Sequence, residues 1–133
     1  QIETLDSNTI REQLTQGTFQ MNTGVWVGGN QDPIFMKDLF TTARIPGPNV
    51  SCCNRSRYSN PEVDRLVEQA VNETDRAKAK QLYVDAWGII SNELPLFPLW
   101  YPANMVITSK RIGNVKISPS GDWSFIKDVT VQN

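Results

Sequence analysis

The sequence offers few side chains that could carry out acid–base, nucleophilic or metal chemistry. It contains no histidine, so the usual general base and the usual zinc ligand are both missing. Its two cysteines, Cys52 and Cys53, are neighbours, read as reduced or incidentally paired thiols, and two thiolates do not complete a four-ligand metal site. Asp32 precedes Pro33, where capping a helix is the simpler role. We therefore predict a non-enzyme with no catalytic residue, no metal site and no cofactor.

The feature that points to binding is an aromatic residue beside a glycine-rich loop. Trp26 ends a predicted strand and is followed closely by Gly28, Gly29 and Asn30. Glycines let a ligand approach the backbone, and an indole offers it a flat apolar face. A second aromatic pair, Trp100–Tyr101, follows a proline-rich segment. For both aromatic sites the sequence leaves open the alternative of plain packing in a core or an interface.

The charge balance excludes two classes of partner. Thirteen basic and fourteen acidic residues among 133 give a formal net charge of -1. A nucleic-acid-binding domain normally has a basic excess, and a polybasic membrane-surface segment needs a cluster of lysine and arginine. The longest apolar stretches, such as Leu94–Tyr101, are far below the ~20 residues that span a bilayer. The chain opens without methionine, and we expect a mature or excised piece of a longer protein.

Two helices are predicted in the first 40 residues. Thr9 and Glu12 have the spacing of a capping box, and Gly17 suits a left-handed C-terminal cap. Asp32 followed by Pro33 has the pattern of an N-cap and a first helical residue. We expect one helix to end at Gly17 and a second to begin at Pro33.

A helical hairpin is the clearest local prediction. Asn60 before a proline caps its first helix, and Thr74 or Asp75 caps its second. Apolar residues recur three and four positions apart along both helices, which predicts one buried face on each. These residues are Val63, Leu66, Val67, Ala70, Val71, Ala79, Leu82, Tyr83, Ala86, Trp87 and Ile90.

Strands are predicted where apolar and polar residues alternate. Phe19–Val27 alternates over its whole length, and Met105–Thr108 and Trp123–Val131 are rich in strand-forming residues. Together with the helices, these segments predict an α/β fold.

Several segments of the chain resemble, in order and in spacing, the family 5 extracellular solute-binding proteins. That family comprises the dipeptide-, oligopeptide- and nickel-binding components of bacterial ABC importers. The segments are Val25–Trp26, Gly28–Pro33, Phe35–Phe40, Arg57–Leu66, Leu82–Trp87, Leu94–Trp100 and Gly121–Trp123. The resemblance covers nearly the whole chain and corresponds to the C-terminal part of such proteins.

The resemblance implies the C-terminal part of a two-lobed periplasmic-binding-protein fold of type II, with a mixed sheet and flanking helices. Residues 1–99 would belong to the C-terminal ligand-binding lobe. Residues 100–133 would form a tail that crosses back towards the N-terminal lobe, and the fragment would be a single compact unit. The ligand cleft would lie between the lobes, so most of one wall is missing from this chain.

The resemblance also implies a set of ligand-binding positions. They are Trp26, Val27, Gly29, Thr23, Tyr101 and Asn104. Trp26 takes the place of a pocket tryptophan that packs on the ligand. Gly29 stands where peptide binders often carry an aspartate for the ligand ammonium, and Thr23 stands where some carry an arginine for the ligand carboxylate. Both departures leave open a peptide held otherwise, a sugar, an opine-like compound or a chelated metal as the ligand.

The function implied is solute binding, with a peptide-type solute delivered to a membrane permease. The partners are a small-molecule or peptide ligand and ABC permease subunits, with no nucleic acid. The location is periplasmic or extracellular, with or without a lipid anchor. The alternative is a stand-alone or domain-swapped interaction module, which would pair by its uncovered strands as a dimer.

Overall fold

The chain divides into two compact units. The computed structural model describes it at residues 3–26, 32–50 and 52–132. The first unit combines Gln1–Thr23 with Pro33–Phe97, and it contains every α-helix of the described residues. The second unit combines Gly24–Asp32 with Pro98–Asn133, and it contains a short sheet.

Helix α1 runs over Ser7–Gln16 and is capped by Asp6, so the predicted start at Thr9 is wrong. Asp6 Oδ1 accepts hydrogen bonds from the backbone N–H groups of Asn8 (3.0 Å) and Thr9 (3.2 Å). The Thr9 hydroxyl also donates to Asp6, and with these N–H donors it lowers the pKa of the Asp6 carboxyl. Thr9 therefore serves as a donor to the cap. The prediction that Gly17 ends the helix is confirmed, with a left-handed φ of 73°.

Helix α2 runs over Phe35–Phe40 and begins two residues later than predicted. Ile34 occupies the N-cap position, so the predicted N-cap position at Asp32 lies two residues too early. Pro33 lies in a turn instead, where its carbonyl accepts a hydrogen bond of 2.9 Å from the backbone N–H three residues on. The fixed φ of proline suits a β-turn as well as a helix start, so the Asp-Pro pair does not separate the two.

The predicted hairpin is confirmed as α3, Pro61–Asn72, and α4, Arg76–Glu93. Asn60 caps α3 by accepting hydrogen bonds from the second and third backbone N–H groups of the helix, at 3.0 and 3.3 Å. Asp75 caps α4 in the same way, at 2.8 and 3.3 Å. Both caps satisfy donors that have no partner within the helix, which fixes where each helix begins.

The core of the first unit lies between α2, α3 and α4. Its buried members are Phe40, Val63, Leu66, Val67, Ala86 and Ile90. The apolar stripe of α3 is buried as predicted, whereas α4 buries only Ala86 and Ile90 completely. Trp87 was expected on the buried face, but it is 51% exposed and touches Phe40 edge-on at 6.3 Å between ring centroids.

The sheet is much smaller than predicted. Strand β1, Ile112–Gly113, pairs antiparallel with β2, Thr130–Val131, and this is the only sheet among the described residues. The described parts of Phe19–Val27 and all of Met105–Thr108 lie outside any paired strand. Alternation predicts which face a strand would bury. A strand forms only where a second backbone segment lies beside it and supplies hydrogen-bond partners. The chain is thus a mixed structure of helices and a small sheet, compatible with an α/β protein.

Two short 3-10 helices occupy Thr42–Arg44 and Ser124–Asp128. The second lies within Trp123–Val131, so the prediction of a continuous extended segment there is wrong. Trp123 stacks on Phe125 at 6.0 Å between ring centroids. In the part of the chain that the structure describes, no helix is long and apolar enough to cross a bilayer.

Candidate ligand-binding site

The predicted ligand residues are divided between the two compact units. Trp26, Tyr101 and Asn104 belong to the second unit, and Thr23 belongs to the first. Outside the described residues lie Val27 and Gly29. The structure therefore brings three of the four described candidates into one unit, although their sequence positions are up to 78 residues apart (104 − 26).

The aromatic candidates keep accessible surface. Trp26 is 40% exposed, and Tyr101 is completely exposed. Trp100, the neighbour of Tyr101, is 73% exposed, so the alternative that this pair packs in a core is wrong here. Thr23 is also exposed. Exposed aromatic rings are available for contact with a ligand or another protein surface.

The Asn104 side chain is oriented by a hydrogen bond to a serine-rich turn. Its Nδ2 donates a 3.1 Å hydrogen bond to the carbonyl oxygen of Pro119. The turn continues through Gly121, which has a φ of 72°, to Asp122, whose side chain accepts hydrogen bonds from the turn itself. Sequence reasoning named Asn104 as a pocket-edge residue but did not identify this turn as its support.

A concavity lies elsewhere among the described residues, on the helical hairpin. It is an open groove of about 850 Å³ between α3 and α4. Its lining is Arg65, Glu68, Gln69, Asn72, Glu73, Lys78, Gln81 and Leu82. The charges are mixed, and all but one of the lining residues carry a polar or charged group. None of the predicted ligand residues lines it.

The hydrogen bonds of the buried Asn54 side chain form a network, called the clasp below, that holds the segment before α3. Asn54 is fully buried, and its Nδ2 donates to the carbonyl oxygens of Thr41 (3.0 Å) and Tyr58 (2.7 Å). Its Oδ1 accepts from the Tyr58 backbone N–H (3.2 Å) and the Ser56 hydroxyl (2.9 Å). No local sequence pattern singles out Asn54, so its structural role was missed.

The clasp extends from Tyr58 to the end of α4. The Tyr58 hydroxyl donates to Glu93 at 2.6 Å, and Asn60 Nδ2 donates to both oxygens of the same carboxylate at 3.0 and 3.2 Å. Asn60 thus caps α3 with its oxygen and reaches α4 with its nitrogen. Burial, followed by the hydrogen bond to Glu93 and its charge, raises the pKa of Tyr58 to about 12.

Replacing Tyr58 with phenylalanine should change how stability depends on pH. Unfolded tyrosine loses its proton near pH ~10, whereas folded Tyr58 keeps it to about 12, so rising pH favours unfolding over this interval. We expect the free energy of unfolding of the wild type relative to Tyr58→Phe to be constant below pH ~10 and to fall between the two pKa values. Urea denaturation of both proteins across this range measures the difference.

The fully exposed Tyr101 provides the matched control for this measurement. Tyr101→Phe should leave the pH dependence of the wild type unchanged, because the Tyr101 side chain is as exposed in the folded protein as in an unfolded chain. A stability difference between wild type and Tyr58→Phe that stays level through pH ~12 would contradict the role given to the Glu93 contact.

The two cysteines and the acidic residues provide no further site. The sulfur atoms of Cys52 and Cys53 lie next to each other, within one loop. Among residues 3–26, 32–50 and 52–132, no group of three or more cysteine, aspartate and glutamate side chains is placed to hold a metal ion.

Comparison with curated proteins finds relatives along most of the chain. The oligopeptide-binding protein OppA of Bacillus subtilis is 26% identical over 94% of this chain and 22% of its own length. Heme-binding protein A of Haemophilus influenzae is 29% identical over 85% of this chain and 19% of its own length. Peptide transport periplasmic protein SapA of the same organism is 26% identical over 75% of this chain and 17% of its own length. No family model matches the sequence.

The relatives share one kind of name, and each is much longer than this chain. All three relatives carry the names of binding or transport proteins, and none carries the name of an enzyme. The chain spans about a fifth of the length of these curated relatives. The names describe whole proteins, and this chain corresponds to only part of each of those proteins.

Proposed function

This chain belongs to the family 5 extracellular solute-binding proteins, and we propose that it forms the C-terminal part of one that binds a peptide-type solute. The whole protein would capture the solute outside the cytoplasm and deliver it to the permease subunits of an ABC importer. The observation that carries the proposal is the match of 94% of the chain to a protein named for oligopeptide binding. Because the chain spans about a fifth of that relative, it would supply one part of the ligand cleft.

The proposed contacts use the exposed aromatic residues. Trp26 would pack its indole against the ligand, and Tyr101 and Asn104 would contact the ligand at the pocket edge. The location of all three residues in one compact unit supports this assignment. Thr23 and Gly29 replace the charged residues that pair with free peptide termini in other members, so we expect a ligand held without those two ion pairs. Val27 would contribute backbone contacts beside Gly29.

The proposed division into lobes follows the family. Residues 1–99 would form part of the C-terminal lobe, and residues 100–133 would cross back towards the N-terminal lobe. The change of compact unit between Phe97 and Pro98 supports a boundary close to residue 99. The membership of Gly24–Asp32 in the second unit supports a closer association of the Trp26 loop with the tail than the sequence suggested.

The proposal includes a location and excludes catalysis. The word periplasmic in the name of SapA supports a periplasmic or extracellular site of action. A lipid anchor on the whole protein is compatible with that location. The binding-protein names of the relatives support a role without enzymatic activity.

Trp26→Ala in the full-length protein tests the proposal. We expect the affinity for tri-alanine, measured by titration calorimetry, to fall about 30-fold, because a stacked aromatic anchor commonly contributes about 2 kcal/mol to binding. Hemin serves as a second probe, since a relative is named for heme binding. The isolated 133-residue chain should bind either probe weakly or not at all, because most of one wall of the cleft is missing.

Trp87→Phe is the matched control, since Trp87 lies on α4 in the first unit and not among the proposed contacts. Its affinity should equal that of the wild type. Unchanged affinity in a folded Trp26→Ala variant would contradict the role of Trp26. Failure of the wild type to bind either probe would contradict the peptide-type assignment.

A second candidate function is an interaction module that pairs with another copy of itself. The observation that favours it is the exposure of large apolar side chains in the tail, with Trp100 73% and Ile107 97% exposed. Sedimentation velocity on the same samples separates the two candidates. A full-length protein that stays monomeric at high concentration would contradict self-pairing, whereas a dimer that releases on ligand binding would favour it.

A further inference from the structure

The Asn104 side chain is held in one orientation. Its amide lies 3.1 Å from the Pro119 carbonyl oxygen, and a carbonyl can only accept a hydrogen bond. The amide nitrogen must therefore be the end that faces Pro119, which leaves Oδ1 as the end that is not used. Among the described residues, Oδ1 of Asn104 has no hydrogen-bond partner, and the residue is exposed.

Gly121 makes the close fit beneath this amide possible. A Cβ atom at Gly121 would lie 3.1 Å from both Nδ2 and Oδ1 of Asn104, which is tighter than ordinary van der Waals contact. The left-handed φ of 72° is a second reason for glycine at this position. The turn thus supports the amide of Asn104 by direct contact as well as by a hydrogen bond.

Asp122 braces the turn from inside. Its Oδ2 accepts from the hydroxyls of Ser118 and Ser120, and its Oδ1 accepts from the Ser124 backbone N–H at 2.9 Å. The Gly121 N–H closes the turn on the Ser118 carbonyl at 3.0 Å. The hydroxyl of Ser118, followed by the other donors, holds the pKa of Asp122 well below its usual range, so the brace stays charged at ordinary pH.

We propose that the Asp122 turn is a positioning device that presents Oδ1 of Asn104 to the ligand, so that this position selects a hydrogen-bond donor. The proposal rests on the proposed function, since it assumes that Asn104 faces the ligand. The chemical class selected is an N–H group, such as a peptide amide or an ammonium group. A ligand carboxylate is disfavoured there, because its oxygens and Oδ1 are all acceptors.

This assignment agrees with the departure at Gly29. A neutral amide oxygen accepts from an ammonium or an amide N–H without requiring full charge, whereas an aspartate favours the charged ammonium. The site would accept a donor from the middle of a peptide as readily as one from its terminus. Asn104 would therefore recognise an N–H group of the ligand without the ion pair that other members use.

The experiment is an NMR measurement on the ¹⁵N-labelled full-length protein, which observes the side-chain NH₂ signals of Asn104 directly. Asn104→Asp removes these signals and so identifies them. In Asp122→Ala we expect the Asn104 NH₂ to exchange with water about fivefold faster, because the turn no longer holds it against Pro119. Asp122→Asn keeps one acceptor oxygen and should give an intermediate rate. Asp128→Ala changes an exposed aspartate of the same unit and should leave the rate unchanged.

The outcomes separate the proposal from the proposed function. Asn104 NH₂ signals that are identical in Asp122→Ala and the wild type would overturn the positioning role, whether or not any ligand binds. Tri-alanine at millimolar concentration should shift the Asn104 signals, and N,N-dimethylglycine amide, which has fewer N–H donors, should shift them less. Tri-alanine that shifts the Trp26 indole signal but not Asn104 would overturn the donor selection while leaving the proposed function standing. A shift of neither signal would contradict the proposed function, and the Asp122 comparison would still decide the positioning role.

Discussion

Replacing Asn54 with alanine is expected to lower the free energy of unfolding by about 3 kcal/mol, one of the two largest effects expected for this chain. The side chain is completely buried and takes part in four hydrogen bonds. Its loss would leave the carbonyl oxygens of Thr41 and Tyr58 without this donor. Each buried polar group left unsatisfied costs about 1–3 kcal/mol, because it has given up water without gaining a partner. Urea denaturation followed by circular dichroism measures the change.

Two further variants make the Asn54 result interpretable. Asn49→Ala changes an exposed asparagine in the preceding turn, and we expect an effect within about 0.5 kcal/mol. Asn54→Asp keeps the acceptors for Ser56 and the Tyr58 N–H but removes both donors, so it should be about as damaging as alanine. A loss below about 1 kcal/mol in Asn54→Ala would show that the clasp is not a main support of this unit.

The second large effect is expected from Leu66→Ala in the core. Leu66 is 5% exposed and lies on α3, within the buried cluster that includes Phe40 and Ile90. Truncation removes three carbon atoms from a packed interior and leaves a cavity, which costs about 2–5 kcal/mol for leucine at comparable sites. We expect a loss of about 3 kcal/mol in urea denaturation, with an unchanged denaturant slope.

Leu99→Ala is the matched control because it makes the same chemical change at a side chain that is 56% exposed. It should alter the free energy of unfolding by no more than about 0.5 kcal/mol. Equal losses at the two leucines would mean that Leu66 is less buried in solution than in the structure, or that Leu99 is covered.

The helical part of the fold could be predicted because helices are specified locally. The stripe of Val63, Leu66 and Val67 and the caps at Asn60 and Asp75 all lie within a few residues of what they determine. The errors occurred where one pattern is compatible with two structures. Asp32-Pro33 suits a turn as well as a helix start, and Thr9 can donate to a cap as well as be one.

The strands and the candidate site depend on partners distant in sequence, which alternation and motifs do not reveal. The segment beginning at Phe19 alternates correctly but has no strand beside it over its described residues. The support of Asn104 by Asp122 requires a turn 15 residues away to fold back, and no local pattern indicates that contact. Asn54 was missed for the same reason, since its partners at Thr41 and Tyr58 are visible only once the loop is folded.

The compact core between α2 and α4 has a consequence for the order in which the chain folds. All six buried members fall between Phe40 and Ile90, and the most populated helix contact joins two helices that are adjacent in sequence. Contacts between residues close in sequence need little loop closure, which makes folding fast. During synthesis, a segment able to collapse on itself would therefore be available soon after Ile90 emerges from the ribosome, before the apolar segment from Pro98 onward has emerged. Early burial of the hairpin would limit the time in which its apolar face is available for wrong contacts.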